Sequence, residues 1–289
     1  LKAGKIAREV REWVESNVKI GSGYLEICVE VENEIVKRGG EPAFPCGIGV
    51  NHITAHYAPQ DGEKGVIRED DVIKLDFGVH IDGYIADTAI TISYNAGYQS
   101  LLEATQRALQ VAIEVSKRDQ RIGEISRAIA NEASRRGFKP ISNLSGHTLE
   151  RYVVHAGKSI PNLYMPNLPI LKRDEIFAIE PFLTLGEASG YVIDAPHETI
   201  FSLIARKRTG NKDMDELIEI IWNRRKTLPF TPRWFEQDYK YERLIRLLKE
   251  LEGRKLVRSY PTLVEASNQP VAQFEHTIAL VKDGLLVLT

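Results

Sequence analysis

The sequence predicts a mixed α/β chain of two structurally related halves, the second interrupted by a helical insertion. Three observations predict it. An order of helix, helix, glycine and strands occurs twice; a strand hairpin carries two mid-run aspartates; and a charged helical stretch breaks the rhythm of the second half.

Residues 3–18 place Ala3, Ile6, Ala7, Val10, Trp13, Val14 and Val18 at helical spacing. Residues 22–38 repeat the pattern through Leu25, Cys28, Val31, Ile35 and Val36, and Gly39-Gly40 stops it. Segment 41–59, "EPAFPCGIGVNHITAHYAP", is rich in Gly, Pro and Asn and reads as irregular. The hairpin "IKLDFGVHIDGYIADTAITI" follows at 73–92, turning at Asp82-Gly83. Helical spacing returns over 98–117 (Leu101, Leu102, Ala108, Val111, Val115) and 123–136 (Ile125, Ala128, Ile129, Ala133), ended by Gly137. Stretches 150–155 and 175–183 read as strands. Segment 201–262 reads as an inserted helical subdomain with two apolar faces, Leu217, Ile218, Ile221, Trp222 and Leu244, Ile245, Leu248, Leu251. Within it, residues 206–258 carry fifteen Lys/Arg against nine Asp/Glu. "VAQFEHTIALV" at 271–281 alternates with period two and is expected to rejoin the main sheet.

The totals exclude several classes. The chain has 289 residues, 43% hydrophobic and 27% charged, enough for one large domain or two small ones with a sizeable core. A net charge of −2 points to no polyanionic partner for the chain as a whole. Two cysteines, Cys28 and Cys46, argue against a disulfide scaffold or a Cys-based zinc site and fit a reducing, cytoplasmic setting. No apolar run approaches the ~20 residues of a membrane span, and a signal-peptide core is lacking.

The hairpin carries the chemistry. With Asp82-Gly83 as the loop, Gly78 faces Asp87, and Asp76 lies two residues from Gly78 on the same face. The two aspartates are then diagonal neighbours, with Cα atoms roughly 7–8 Å apart. Carboxylates that close repel unless something positive lies between them. One solution is an ion pair with Arg or Lys. The other is a cation, for which hard oxygen ligands suit Mn, Fe or Co, or a pair of such ions, better than a thiolate-type zinc site. Three more ligand-type residues stand in apolar strands: His147 in "SGHT", Glu180 in "FAIEPF" and Glu275 in "QFEHTIAL".

This set, Asp76, Asp87, His147, Glu180 and Glu275 in that order, resembles the methionine aminopeptidases of type II, and the likeness runs over essentially the whole chain. "DFGVHIDGYIADTA", "GHTLERYVVHAGKSIPN", "AIEPF" and "AQFEHTI" carry it, and the insertion containing "TLPFTPRWF" is the type II mark. The chain shows no polybasic N-terminal extension, so an archaeal-like minimal enzyme is the expectation. The resemblance implies the pita-bread fold with pseudo-twofold halves, formed by 1–200 plus 263–289, with 201–262 as a winged-helix-like subdomain. It implies two divalent ions (Co, Mn, Fe or Zn), with Asp76 chelating one, Asp87 and Glu275 bridging both, and His147 and Glu180 completing the other. A hydroxide held between the ions would attack the peptide carbonyl, with Glu180 moving the proton. His56 and His155 match the two active-site histidines that are not ligands, and Phe44 and Tyr260 match the pocket for the methionine side chain. The implied substrate is the N-terminal methionine of nascent peptides when the next residue is small. A monomer, no membrane contact and transient ribosome association complete the expectation.

Two alternatives stand beside it. One is a binding module of the same fold, free of metal, whose basic insertion holds RNA or the ribosome. The other is a proline-directed peptidase, a class that usually carries an N-terminal domain for which two helices and a loop leave no room. The remaining histidines read as bystanders: His52 structural, His80 solvated beside the turn, His276 facing away from Glu275, and His197 loosely assigned to a loop on the pocket side. Cys46 has no evident base, and the glycines of "CGIGVN" lack the helix a phosphate loop needs.

Overall fold

The computed structural model describes residues 1–117, 119–282 and 284–289. Helices α1 (Lys2–Asn17) and α2 (Tyr24–Lys37) turn their apolar faces, Val10 and Val14 on one and Ile27, Val31 and Ile35 on the other, into the main core. Gly39, at φ 83°, ends α2 as the glycine pair predicts. Strand β1 (Glu41–Val50) and the short β2 (Ile53–Ala55) occupy the segment expected to be irregular. That expectation fails because β1 pairs only with β3 (Val72–Ile81), at the sheet edge, where Pro42 and Pro45 need not donate to a second neighbour. Two bulges, between Pro42 and Phe44 and between Phe44 and Gly47, absorb the misfit.

β3 and β4 (Tyr84–Ser93) form the hairpin in the expected register, with Ile81 opposite Tyr84, Gly78 opposite Asp87 and Asp76 opposite Ala89. Asp82 and Gly83 both take left-handed φ, 52° and 83°, the turn whose twist matches the strands.

The second half opens on α3 (Gln99–Val115) and α4 (Ile122–Arg135). Next come β5 (Phe138–Pro140), β6 (Ser145–Leu149), β7 (Ser159–Pro161), β8 (Ile176–Ile179), β9 (Phe182–Leu185) and β10 (Val192–Leu203). Helices α5 (Lys212–Arg225) and α6 (Tyr241–Gly253) follow, and then β11 (Val257–Glu265), β12 (Val271–Gln273), β13 (Glu275–Val281) and β14 (Gly284–Val287). The main sheet runs β1-β3-β4-β13-β8-β6-β7, with β14 added on β13; β12-β9-β5 and β10-β11-β2 form two smaller sheets.

Three strand expectations need correction. Residues 150–155 are a turn, because Tyr152 takes φ 61° and Glu150 and Val153 bond to each other across it. The run 175–183 splits at Glu180-Pro181, where proline has no N–H for a ladder. The run 271–281 changes sheets at Phe274, so only its second part joins the main sheet.

β4 and β13, which join the two halves, pair in register only at Ala89–Glu275 and Thr88–His276. Threonine hydroxyls bridge the rest of this seam. Thr277 Oγ1 accepts from Asp87 N at 2.7 Å and donates to Asp87 O at 2.8 Å. Thr88 Oγ1 donates to Glu275 O at 2.9 Å, and Thr91 Oγ1 to Gln273 O at 2.6 Å. Arg11 closes the seam from behind through Thr88, Ala89 O and Glu275 O.

The inserted helices pack on the β10-β11 ribbon around a separate apolar cluster that includes Phe201, Leu217, Ile221, Phe230, Phe235 and Leu248. The ends of segment 201–262 therefore lie inside strands. A buried network ties this unit to the first half. Arg233 grips the Glu32 carboxylate with both terminal nitrogens, Trp234 Nε1 donates to it at 2.9 Å, and Glu32 also accepts from Cys46 N at 3.0 Å. Removing the acid strands a buried guanidinium, which costs about 3–5 kcal/mol. Glu32→Ala should therefore lower the urea midpoint by the equivalent of that loss, and a shift worth under about 1 kcal/mol would refute the network's structural weight.

Candidate metal centre

Strand parity and two strand breaks bring five side chains to one place. Asp76 and Asp87 project from the same face of the hairpin, His147 from β6, Glu180 from the break after β8, and Glu275 from the first residue of β13. They line a cavity of about 330 Å³. Asp87, His147 and Glu275 bring ligand atoms within 4.8 Å of one another, and so do Asp76, Glu180 and Glu275. Glu275 belongs to both groups. His147 Nε2 lies 3.5 Å from Glu180 Oε1 and 3.7 Å from Asp87 Oδ2, so the two groups are in contact.

Charge is the problem this arrangement poses. Burial raises Asp76 to about 6. Burial, and then the charge of neighbouring acids, raises Asp87, Glu180 and Glu275 well above the usual carboxylate range. His147 is driven down to about 3, first by burial and then by His155, so it is a neutral ligand-type nitrogen. Among the described residues no lysine or arginine side chain forms an ion pair with the five. Lys74, buried on the Asp76 face, donates instead to Asn51 O at 3.0 Å and Val271 O at 2.8 Å. Arg11 reaches Glu275 only through its backbone carbonyl. Asp76 Oδ1, Asp87 Oδ1, Glu275 Oε1 and His147 Nδ1 are buried without a hydrogen-bond partner. Orphaned carboxylate oxygens, with His147 Nε2 facing the acids, fit divalent cations.

A second set of residues lies above the carboxylates. His155 packs edge-on to His147 at 4.4 Å between centroids, and His56 edge-on to Tyr260 at 5.6 Å. His56 sits at φ 61°, a left-handed position in the turn after β2, and burial lowers it to about 4. His155 is lowered by burial and then by Arg258. Phe44, Val154, Ile200 and Pro229 supply the apolar end, and Ser202 Oγ holds the Tyr260 hydroxyl at 3.1 Å.

All residues singled out for the site line this one cavity. Two of the bystander readings change. His80 is buried, because its Nδ1 accepts from Gly83 N at 3.2 Å and the Tyr152 ring stands 6.1 Å away. His197 is exposed in the irregular middle of β10 and is not part of the cavity lining. Sequence reasoning missed Gln273, whose amide donates at 3.3 Å to both Asp76 Oδ2 and Glu180 Oε2. Its position two residues before Glu275 was the available signal.

The sequence profile described as "Metallopeptidase family M24" matches residues 1–210. The chain belongs to metallopeptidase family M24. It is 42% identical to a methionine aminopeptidase of Pyrococcus horikoshii over 290 residues, covering 100% of this chain and 98% of that one. Among solved structures, a methionine aminopeptidase from Rickettsia prowazekii superposes with TM-score 0.71 at 22% identity, covering 99% of this chain and 94% of that one. A thermophilic Arx1 superposes with TM-score 0.84 at 18% identity, covering 99% and 88%. At such identities the two structures speak for the fold, which is the pita-bread architecture of M24 enzymes. Among the described residues no helix is long and apolar enough to cross a membrane.

The raised carboxyls fix a pH dependence. A carboxyl that binds its proton more tightly when folded stabilises the metal-free protein below its unfolded pKa, near 4, and that contribution is lost as pH rises through the folded value, about 6 for Asp76. A cation needs the ionised forms, so its stabilisation grows over the same window. Excess Mn²⁺ over chelator should raise the unfolding temperature far more at about pH 7.5 than at about pH 5.5. Equal increments at the two values would contradict this account.

Proposed function

We propose that this M24 protein removes the N-terminal methionine from peptides and nascent proteins whose second residue is small. The observation that carries the reading is the convergence of four carboxylates and one imidazole, with orphaned carboxylate oxygens, in a cavity that also has an apolar lining. Full-length identity of 42% to a methionine aminopeptidase supports the substrate class over the proline-directed alternative. In this reading Asp76, Asp87, His147, Glu180 and Glu275 hold two divalent ions. Glu275 belongs to both ligand groups, so it would serve both ions, with Asp87 and His147 beside it in one group and Asp76 and Glu180 in the other. Bound there, such ions supply a nucleophile from water near neutral pH and a Lewis acid for the carbonyl.

The chain's own groups do the rest. Glu180, whose proton affinity burial raises, accepts a proton from the attacking water and delivers it to the leaving amine. His56 and His155, held neutral by burial, donate N–H to the carbonyl oxygen as its charge develops. Phe44 and Tyr260 hold the methionine side chain, with Val154 and Pro229 completing the apolar end. The free α-amine faces the carboxylates, so a blocked N-terminus is excluded.

The helical subdomain 201–262 roofs the cavity and contributes Tyr260 and Pro229. Action as a monomer is a further part of this reading. Transient ribosome docking is a finer part of the proposal, in a cytoplasmic enzyme. Two basic loops support it, 206–212 and 254–258, joined where Arg254 donates to Thr209 O at 3.2 Å.

The test is metal analysis of anaerobically purified protein together with cleavage of Met-Ala-Ser and an X-Pro dipeptide. Asp87→Ala and Glu275→Ala should lose bound metal and turnover together. His155→Ala should keep its metal while kcat falls about 10²–10³-fold, the weight of one donor to a developing oxyanion. Full activity in either carboxylate variant, or loss of metal in His155→Ala, would overturn the corresponding assignment.

A further inference from the structure

The apolar end of the cavity is built from segments far apart in sequence. Phe44 comes from the bulged edge strand β1, and Pro229 from the turn after α5 in the inserted subdomain. Neither is placed by regular pairing. Phe44 lies between the two irregular steps of the β1 ladder, and Pro229 stands in a loop.

One side chain connects them. Arg225, the last residue of α5, is 7% exposed, and its Nη2 donates to Pro42 O at 2.8 Å, Ala43 O at 3.1 Å and Pro229 O at 3.1 Å. The first two carbonyls lie immediately before Phe44, and the third belongs to the wall residue itself. Trp234 covers the guanidinium, whose centre lies 4.7 Å from its ring. Among the described residues Arg225 forms no ion pair with an acid, so its directional bonds all go to these three carbonyls. The Phe44 ring also rests on Gly78, where a Cβ would come within 2.4 Å of Cε1. Gly78 therefore sets the ring's depth, while Arg225 fixes its strand relative to the Pro229 turn.

We propose that Arg225 is a specificity-determining positioning residue, whose guanidinium spans the segments carrying Phe44 and Pro229 and so sets the width of the apolar end. The inference rests on the aminopeptidase reading for the identity of the side chain admitted. All three bonds fall on Nη2, and a lysine ends one bond short of that atom, so it meets fewer of the carbonyls, while a methionine donates to none. With the span loosened, side chains of similar volume compete better. Hydrophobic pockets separate such rivals by about 10–200-fold when rigid, and the difference shrinks as the wall yields.

The experiment compares metal-loaded wild type, Arg225→Met and Arg225→Lys on Met-Ala-Ser and Leu-Ala-Ser, with bound metal measured on each preparation. In Arg225→Met the preference for Met over Leu should fall about tenfold. The fall should be carried by KM for the Met peptide, with metal content unchanged and kcat altered less than KM. Arg225→Lys should recover part of the preference. If Arg225→Met fails to accumulate folded, Arg225→Lys carries the test with a smaller fall. A wild-type preference in a folded variant overturns the proposal. So does a loss of metal and kcat at constant KM, which would place the effect on the carboxylates. Wild-type protein that turns over no Met peptide would refute the aminopeptidase reading alone. The role of Arg225 would then be judged by calorimetric titration with L-methionine, whose affinity should be about tenfold weaker in Arg225→Met; equal affinities would overturn it.

Discussion

Mutual repulsion among four carboxylates is the constraint around which this protein is organised. Asp76, Asp87, Glu180 and Glu275 are enclosed together, and the charges of Asp76, Asp87 and Glu180 raise the cost of ionising others of the set. A hydrophobic sheet cannot screen them, because burial strips charges of much of their solvent. Nor, among the described residues, does a lysine or arginine side chain form an ion pair with them. Lys74 is turned to carbonyl oxygens, and Arg11 stands behind the backbone. The arrangement is therefore one half of an electrostatic pair whose other half is ionic, in keeping with membership in a metallopeptidase family.

The backbone is irregular where the chemistry is. β8 ends at Ile179 so that Glu180 stands free of the ladder, and β12 gives way to β13 at Phe274 so that Gln273 and Glu275 reach the same carboxylate cluster from two sheets. The bulges of β1 likewise turn Phe44 toward the cavity. Regular sheet supplies stiffness, and each departure from it re-aims a side chain.

Much of this was legible in the sequence where the signal was local. The Asp-Gly turn and strict alternation fixed the hairpin register, and with it the relation of Asp76 to Asp87. Acids and a histidine in otherwise apolar strands stood out because each is a poor strand residue on its own terms. The failures have a shared cause. Segment 41–59 looks like loop because Pro and Gly disfavour strands in general, yet an edge position removes the objection. Residues 150–155 read as a strand through Tyr152, Val153 and Val154, but Tyr152 adopts a left-handed conformation that strand propensity cannot reveal. His80 looks exposed beside a turn until the loop bearing Tyr152 folds over it. Arg225 reads as one more basic residue of the insertion, since two of its three partners lie 182 and 183 positions away. What sequence hides here is the environment supplied by distant segments, not the preference of the residue.

The threonine seam gives the joint between the halves a particular compliance. A backbone ladder can only slip by whole residues, since each step reverses which face a side chain occupies. A hydroxyl that both gives and receives a bond, as Thr277 does to Asp87, tolerates displacements of tenths of an ångström without losing either partner. Asp87 and Glu275 hang on opposite sides of that joint. Their separation is thus held by side-chain hydroxyls together with the short ladder at Ala89–Glu275 and Thr88–His276.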